Sequence, residues 1–344
     1  MKKNKLIAIF TSIVLGVTCL TGCGGSTENK DDAQSNKLVI YSPNSEDIIN
    51  TIIPSFEEET GIDVEIVSAG TGELFKRIES EKNNPYADVL FGGSRAQYMQ
   101  KPELFEEYVS KNDSNIMDEY KNKTGYITHY VADGSVILVN KNLIGDIKVE
   151  GYGDLLNPEL KGKITGADPT SSSSAFAQLT NMLLAMGGDY TSDEGWNYVK
   201  NLVSNMEGKV ASGSGAVHKS VADGEYTVGL TYEDPAASYV ISGAPVEIIY
   251  PKEGTVFLAA GSGIIKGAKN IENAEKFIDF ITSKTAQDIF GTQLTNRPVS
   301  KDAELGTHMK SMDDINLIYE DTDYIDAHKD EIVEKYKSII TSEK

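Results

Sequence analysis

Three short turns rich in hydroxyl groups and glycine carry the most specific chemistry in this sequence. Residues 170–174 are Thr-Ser-Ser-Ser-Ser, residues 212–215 are Ser-Gly-Ser-Gly, and residues 70–72 are Gly-Thr-Gly. Hydroxyls and free backbone N–H groups at the start of a helix can hold a phosphate or phosphonate without a cation. Each turn taken alone is more simply explained as a solvated turn with ordinary helix caps, and it is the three together that favour an anion. The candidate anion-binding residues are Gly70, Thr71, Thr170, Ser171, Ser172, Ser173 and Ser214.

A second group of polar residues follows these turns. His218 comes just after the 212–215 turn, where a partly protonated imidazole would donate to an anionic oxygen. Glu233 and Asp234 would repel a phosphate, so we expect them at the far end of a ligand, pairing with an ammonium or accepting from sugar hydroxyls. A surface or capping role is the alternative for each. A hard cation would instead find oxygen-rich ligands in Tyr41, Tyr232 and Glu233, with His218 beside them.

Catalytic signatures are missing from the sequence. It contains no Gly-x-Ser-x-Gly elbow, no His-Glu-x-x-His and no phosphate-binding P-loop. We therefore expect a binding protein and not an enzyme. A secreted phosphoester hydrolase, which would turn over its ligand, and a surface adhesin, which would expose an apolar patch, are the alternatives.

The candidate residues lie between alternating strands and helices. This order implies an α/β fold with a mostly parallel sheet covered by helices. Ligands of such sheets collect where strands end beside helix N-termini, which adds Ser42 and Ser94 to the candidates. Predicted strands cover residues 37–41, 64–67, 88–91, 136–140, 226–231, 246–250 and 257–265, and predicted helices cover 48–59, 72–81, 175–186, 196–206, 274–281, 285–290 and 325–340.

The first residues have the pattern of a secretory signal. Three lysines precede an apolar run over residues 6–20, and Leu-Thr-Gly-Cys follows at residues 20–23. This motif resembles the lipobox of bacterial lipoproteins, which implies that residues 1–22 are removed and that Cys23 carries lipid. An ordinary signal peptide is the alternative. The polar, acidic segment over residues 23–36 predicts a flexible tether.

Charge and cysteine content exclude several classes of partner and site. The formal net charge is −20, and because residues 1–22 contain three lysines and no acid, their removal takes it to −23. Such an acidic protein is a poor partner for nucleic acid. The two cysteines are Cys19 and Cys23, so we expect no disulfide, thiolate metal site or cofactor in the folded body.

Six segments spread over the chain match the order of a known family. They are 38–42 (LVIYS), 56–62 (FEEETGI), 87–91 (ADVLF), 162–164 (GKI), 168–172 (DPTSS) and 273–280 (NAEKFIDF). Together they resemble the bacterial extracellular solute-binding proteins of ABC importers, in the branch of ferric-iron, phosphonate and hexose-phosphate binders.

The resemblance implies the periplasmic-binding-protein type 2 fold. This is a two-lobed α/β fold, each lobe a mostly parallel sheet flanked by helices, with two hinge crossings and the ligand held between the lobes. We expect the crossings near residues 130–136 and 250–255. Lobe 1 then comprises residues 37–133 and 251–344, the latter including the C-terminal helix, and lobe 2 comprises residues 134–250.

The family also informs the choice of ligand. Its ferric binders usually carry paired tyrosines in lobe 2, whereas the corresponding positions here are Tyr232 and Glu233. We therefore favour an organophosphate or phosphonate, such as an aminoalkylphosphonate or a sugar phosphate, and keep ferric iron as the alternative. The resemblance places Tyr41 at the edge of the cleft, where its ring would stack on a ligand or its hydroxyl would donate.

The expected role is a monomeric receptor tethered to the outer face of the cell membrane through lipid on Cys23. It would capture a small solute, close its lobes, and present the solute to an ABC permease and its ATPase subunits. No metal and no nucleic acid are expected as partners.

Overall fold

The structure is a computed structural model that describes residues 36–342. The predicted signal, Cys23 and nearly all of the predicted tether lie outside this range. The strands are β1 Lys37–Ser42, β2 Asp63–Ser68, β3 Val89–Ser94, β4 Thr128–Asn140, β5 Ile164–Gly166, β6 Val228–Tyr232, β7 Val246–Ile249, β8 Phe257–Ile264 and β9 Arg297–Pro298. The α-helices are α1 Glu46–Thr60, α2 Thr71–Glu81, α3 Arg95–Gln100, α4 Ser173–Gly187, α5 Asp193–Asn205, α6 Ser214–Ala222, α7 Glu233–Ile241, α8 Ile271–Ile281, α9 Lys284–Thr292 and α10 Thr322–Ser342.

Helix α1 shows how the sequence sets these elements. Ile48, Ile52 and Phe56 recur at helical spacing and are buried. The helix ends at Gly61, which adopts φ 70° and donates its N–H to the carbonyl of Glu57 at 2.8 Å. Glycine takes this left-handed conformation without steric cost, so the chain turns directly into β2.

The strands confirm the α/β fold class. β1 pairs in parallel with β2 on one side and with β3 on the other, and β5 pairs in parallel with β6. Antiparallel pairs gather around β4 and β8. Helices pack against the sheets as the alternating pattern predicts.

Strand β4 runs through two sheets. Its first half pairs with β8, from Thr128 to Gly134, whereas its second half pairs with β6 and β7, from Ser135 to Asn140. The chain returns from β7 to β8 through residues 250–256. We propose that these two passages are the hinge crossings between the lobes.

Two large hydrophobic cores lie on either side of these crossings. Phe56 and Phe91 each meet Phe277 edge-on at 5.2 Å between ring centroids in the first core. The second core contains Trp196 and, from the C-terminal helix, Tyr336.

The C-terminal helix, α10, packs in the second core, whereas the sequence analysis expected it in lobe 1. Its apolar stripe, which includes Ile332 and Tyr336, packs with α5 in the second core. A periodic stripe predicts a buried face but not which core receives it. We propose lobe 1 as residues 37–133 and 251–321, and lobe 2 as residues 134–250 and 322–342. None of the helices in the described range is both long and apolar enough to span a bilayer.

Candidate functional site

The serine-rich turn before α4 is built around Asp168. The Asp168 carboxylate accepts from the Thr170 N–H at 2.8 Å, which fixes the turn. Ser172 then caps the helix, because its hydroxyl accepts from the Ala175 N–H at 3.3 Å. Ser173 is the first helical residue and is exposed. The cap is therefore made by Ser172, and the Ser173 hydroxyl does not take part in it.

The turn before α6 lies directly beside the first. The Asp168 N–H donates to the Ala211 carbonyl at 2.9 Å, and the Ser171 hydroxyl donates to the Ser212 carbonyl at 3.2 Å. The N-termini of α4 and α6 are thus held together by the chain's own hydrogen bonds. First-turn N–H groups at such ends have no partner within their helix.

Tyr232 ends strand β6 next to this pair of turns. The Ser214 side chain lies close enough to its hydroxyl to lower the pKa of Tyr232, but burial, followed by the nearby carboxylates of Asp133 and Asp234, raises that pKa by more. Ser214 and Tyr232 were both predicted from the sequence, and the structure brings them together.

His218 is less available than its position suggested. Its Nδ1 lies 3.2 Å from the Thr231 hydroxyl, and its ring meets the ring of Tyr232 edge-on at 6.1 Å. The side chain is buried, and burial lowers its pKa. The His218 imidazole packs against the Tyr232 ring and helps to position it. Because burial favours the neutral form, His218 is a poor charged donor for an anion.

Asp133 is a site residue that the sequence reasoning missed. It lies in β4 and accepts from the Asp234 N–H, at the start of α7, at 3.2 Å. Burial and the carboxylates of Asp234 and Glu233 raise the pKa of Asp133 well above its usual value. Burial also raises the pKa of Asp234. The available signal was an acidic residue shortly before the apolar run over residues 136–140, since burying a carboxylate costs free energy unless it is paired.

Glu233 is occupied by protein partners, contrary to its expected contact with ligand. Nε of Arg297 donates to its Oε2 at 2.8 Å, and the Tyr250 hydroxyl donates to its Oε1. The Glu233 and Arg297 side chains are each 1% exposed. The charge of the Glu233 carboxylate is thus balanced by Arg297 inside the protein. Glu233 is therefore not a candidate for ligand contact.

Tyr41 and Ser42 also leave the candidate set because both are fully buried. The Tyr41 hydroxyl donates to Oε2 of Glu81 at 2.8 Å, and the Arg77 guanidinium lies 4.7 Å from its ring centroid. The Ser42 hydroxyl donates to the Phe91 carbonyl at 2.8 Å. The end of β1 is a core position in this chain, not a cleft edge.

A cavity of about 960 Å³ contains residues from both proposed lobes. Thr71 and Ser94 line it from lobe 1, and Ser173 lines it from lobe 2. Gly70, the residue before α2, is exposed. Four cationic side chains also border the cavity, in a chain with 52 acidic and 32 basic residues. They are Arg95, Lys121, Lys123 and Lys329, and the acidic side chains of Glu119, Glu320 and Asp326 line it as well.

The structure therefore groups the predicted residues in two adjoining sets. One set is the pair of turns with Tyr232, and the other is the cavity wall that contains Ser94 and Thr71; the α4 turn, through Ser173, belongs to both. Within residues 36–342, no three His, Cys, Asp or Glu side chains are placed to hold a metal ion.

Comparison with known proteins gives the family. The model of a family described as bacterial extracellular solute-binding protein matches residues 38–293. An uncharacterised protein of Haemophilus influenzae is 31% identical over 291 residues, which are 81% of this chain and 82% of that protein. Iron uptake protein A1 of Synechocystis is 27% identical, covering 84% and 83%.

A solved structure shows the same architecture. The periplasmic binding protein AfuA from Actinobacillus pleuropneumoniae, with fructose 6-phosphate bound, is 28% identical and superimposes with a TM-score of 0.72. The match covers 89% of this chain and 98% of AfuA. Both lines of comparison agree with the two-lobed fold and its cleft. The chain therefore belongs to the bacterial extracellular solute-binding proteins, the family of receptors that serve ABC importers.

Proposed function

We propose that this receptor captures a small organophosphate or phosphonate between its lobes and delivers it to the permease of an ABC importer. The observation that carries the proposal is the pairing of two helix N-termini, joined by the hydrogen bond from Ser171 to the Ser212 carbonyl. Their N–H groups and serine hydroxyls form a neutral donor cluster suited to a phosphoryl head.

The rest of the ligand would meet carboxylates. Asp133 and Asp234 lie next to Tyr232 and beside the serine turns. Carboxylates accept from sugar hydroxyls or pair with an ammonium group. This arrangement supports a sugar phosphate or an aminoalkylphosphonate, with Asp133 and Asp234 in the role first expected of Glu233. The similarity to AfuA, whose structure holds fructose 6-phosphate, supports the sugar phosphate.

Ferric iron is the second candidate, favoured by the similarity to an iron uptake protein. Two observations weigh against it. Glu233, at the position of the second tyrosine, is paired with Arg297. Burial and nearby carboxylates raise the pKa of Tyr232, whereas a metal ligand must be the deprotonated phenolate.

A thermal-shift comparison of inorganic phosphate, aminoethylphosphonate, fructose 6-phosphate, ferric citrate and spermidine tests this choice. A ligand that binds only the folded state raises the melting temperature as it saturates the site. We expect the largest shift with fructose 6-phosphate or aminoethylphosphonate. A shift with ferric citrate alone, or with spermidine alone, would contradict the proposal.

The membrane anchor remains a prediction from the sequence. Cys23 lies outside the described residues, and the proposal that it carries lipid rests on its lipobox-like context. Labelled palmitate should enter the wild-type protein and not the Cys23→Ser variant. Equal labelling of both would rule out Cys23 as the lipid site.

A further inference from the structure

His129 borders the cavity with a side chain that is buried but only partly hydrogen-bonded. It lies in β4 and is 8% exposed. Its Nδ1 lies 2.9 Å from the carbonyl oxygen of Tyr120. A carbonyl can only accept, so Nδ1 carries the proton. The other ring nitrogen, Nε2, is buried and has no partner among the residues that the structure describes.

The surroundings of His129 keep the ring neutral. Burial is the main cause that lowers its pKa, and the cationic side chains of Arg95 and Lys123 act in the same direction. The Tyr120 carbonyl and Asp113 raise the pKa of His129, but by less than the other effects lower it. A neutral ring with its proton on Nδ1 has a lone pair on Nε2. Nε2 is therefore a hydrogen-bond acceptor that lacks a donor.

The cavity offers room for a ligand body that would supply that donor. Its volume of about 960 Å³ is at the upper end of the range for small-molecule sites and greatly exceeds a phosphate group. Tyr319, which is 66% exposed, is an aromatic side chain on the cavity wall. Ser173, the first residue of α4, lines the same cavity as His129 and so connects the α4 turn to this space.

We propose that Nε2 of His129 accepts a hydrogen bond from a hydroxyl on the body of the bound organophosphate, which makes His129 a specificity-determining residue of the cleft. This inference rests on the proposed function and deepens it. A polyhydroxylated solute satisfies the acceptor, whereas a bare phosphate does not reach it. His129 thus selects for the body of the solute and the serine turns select for its head.

Thr255 provides a matched control. Its hydroxyl is also buried without a hydrogen-bond partner in the described residues, and Thr255 is 0% exposed. It does not line the cavity, although the next residue, Val256, does. Thr255→Val removes the unpaired hydroxyl and nearly preserves the side-chain shape.

Calorimetric titration of the full-length chain and its variants with fructose 6-phosphate and with inorganic phosphate tests the proposal. His129→Phe should weaken fructose 6-phosphate binding about three- to tenfold, the scale of one neutral hydrogen bond, and leave phosphate binding unchanged. Ser173→Ala should weaken both, and Thr255→Val neither. His129→Gln should retain part of the affinity for fructose 6-phosphate, since an amide oxygen can take the place of Nε2.

Three results would overturn the proposal. The first is unchanged fructose 6-phosphate affinity in His129→Phe alongside a loss in Ser173→Ala, which would mean that Nε2 bonds to a buried water. The second is equal weakening of both ligands in His129→Phe and in His129→Gln, which would assign His129 a structural role. The third is a wild-type protein that binds neither probe, in which case the proposed function itself fails and the inference fails with it.

Discussion

At the scale of residues, Asp133 is a carboxylate within the mostly buried strand β4, and burial with two neighbouring carboxylates raises its pKa well above the usual value. An acid whose pKa is raised in the folded state binds its proton more tightly there than in the unfolded chain. Its contribution to stability is therefore fully present below the usual pKa and is lost as the pH rises through the raised one. As the pH rises above the usual pKa of a carboxyl group, burial of Asp133 therefore costs the folded protein stability.

Asp133→Asn should accordingly stabilise the ligand-free protein at pH 7 by about 1 kcal/mol. The amide oxygen still accepts from the Asp234 N–H, so the turn is kept. Chemical denaturation of both proteins at pH 7 and at pH 4 measures the difference. The stabilisation should shrink at pH 4, because the cost of burying Asp133 falls as the pH approaches the usual pKa of a carboxyl group. A variant less stable than wild type at pH 7 would show that the charge is compensated within the protein.

At the scale of elements, the bridge between α7 and β9 joins the two proposed lobes. Arg297 of β9 and Glu233 of α7 pair at 1% exposure, with Tyr250 as an additional donor. The Arg297 guanidinium also lies 5.0 Å from the ring centroid of Phe257. Both residues lie beside the β4 crossing, since β9 pairs with Ala132. The pair thus ties α7 to β9 beside the proposed crossing.

Arg297→Leu should destabilise the protein by about 3–5 kcal/mol, because it leaves the Glu233 carboxylate buried and unpaired. The double variant with Glu233→Leu should recover most of that loss, since no lone charge remains. Denaturant unfolding of the wild type, both single variants and the double variant measures the coupling. Additive losses in the double variant would show that the two side chains stabilise the fold independently.

The elements that could be predicted from the sequence are those whose apolar residues recur at a regular spacing. α1, α4 and α5 begin within three residues of their expected starts, because their apolar residues recur at helical spacing. Helix α3, which is six residues long, and helix α7 lack a clear stripe of apolar residues at helical spacing and were not predicted. The first half of β4 was missed as well, since Thr128, His129 and Asp133 interrupt its apolar run.

The site was predictable only where the chemistry is local. Ser171 and Ser214 lie in turns whose hydroxyls and glycines appear in consecutive residues. Glu233 was misassigned because its partner, Arg297, is 64 residues away in the chain, and a sequence pattern does not show such a pairing. His129 was not among the residues singled out from the sequence, since its unpaired Nε2 is a property of packing and not of spacing.

At the scale of the whole molecule, the two proposed lobes are also linked beyond the proposed hinge strands. Arg95, which follows the β3 turn in lobe 1, donates to the Thr322 hydroxyl at 2.9 Å at the start of α10, the helix that packs in lobe 2. The chain is strongly acidic, whereas the cavity is lined by four cationic and three acidic side chains, next to the start of α4. Local dipoles and charges in a closed cleft can thus attract an anion that the net charge repels.

The claim that an organophosphate is captured without being transformed is tested most directly by the ³¹P NMR signal of fructose 6-phosphate in the presence of an equimolar amount of the protein. The account predicts that the signal shifts or broadens on mixing and that no inorganic phosphate signal grows afterwards. A signal identical to that of the free sugar phosphate would contradict binding. A growing inorganic phosphate signal would contradict the receptor role in favour of a hydrolase.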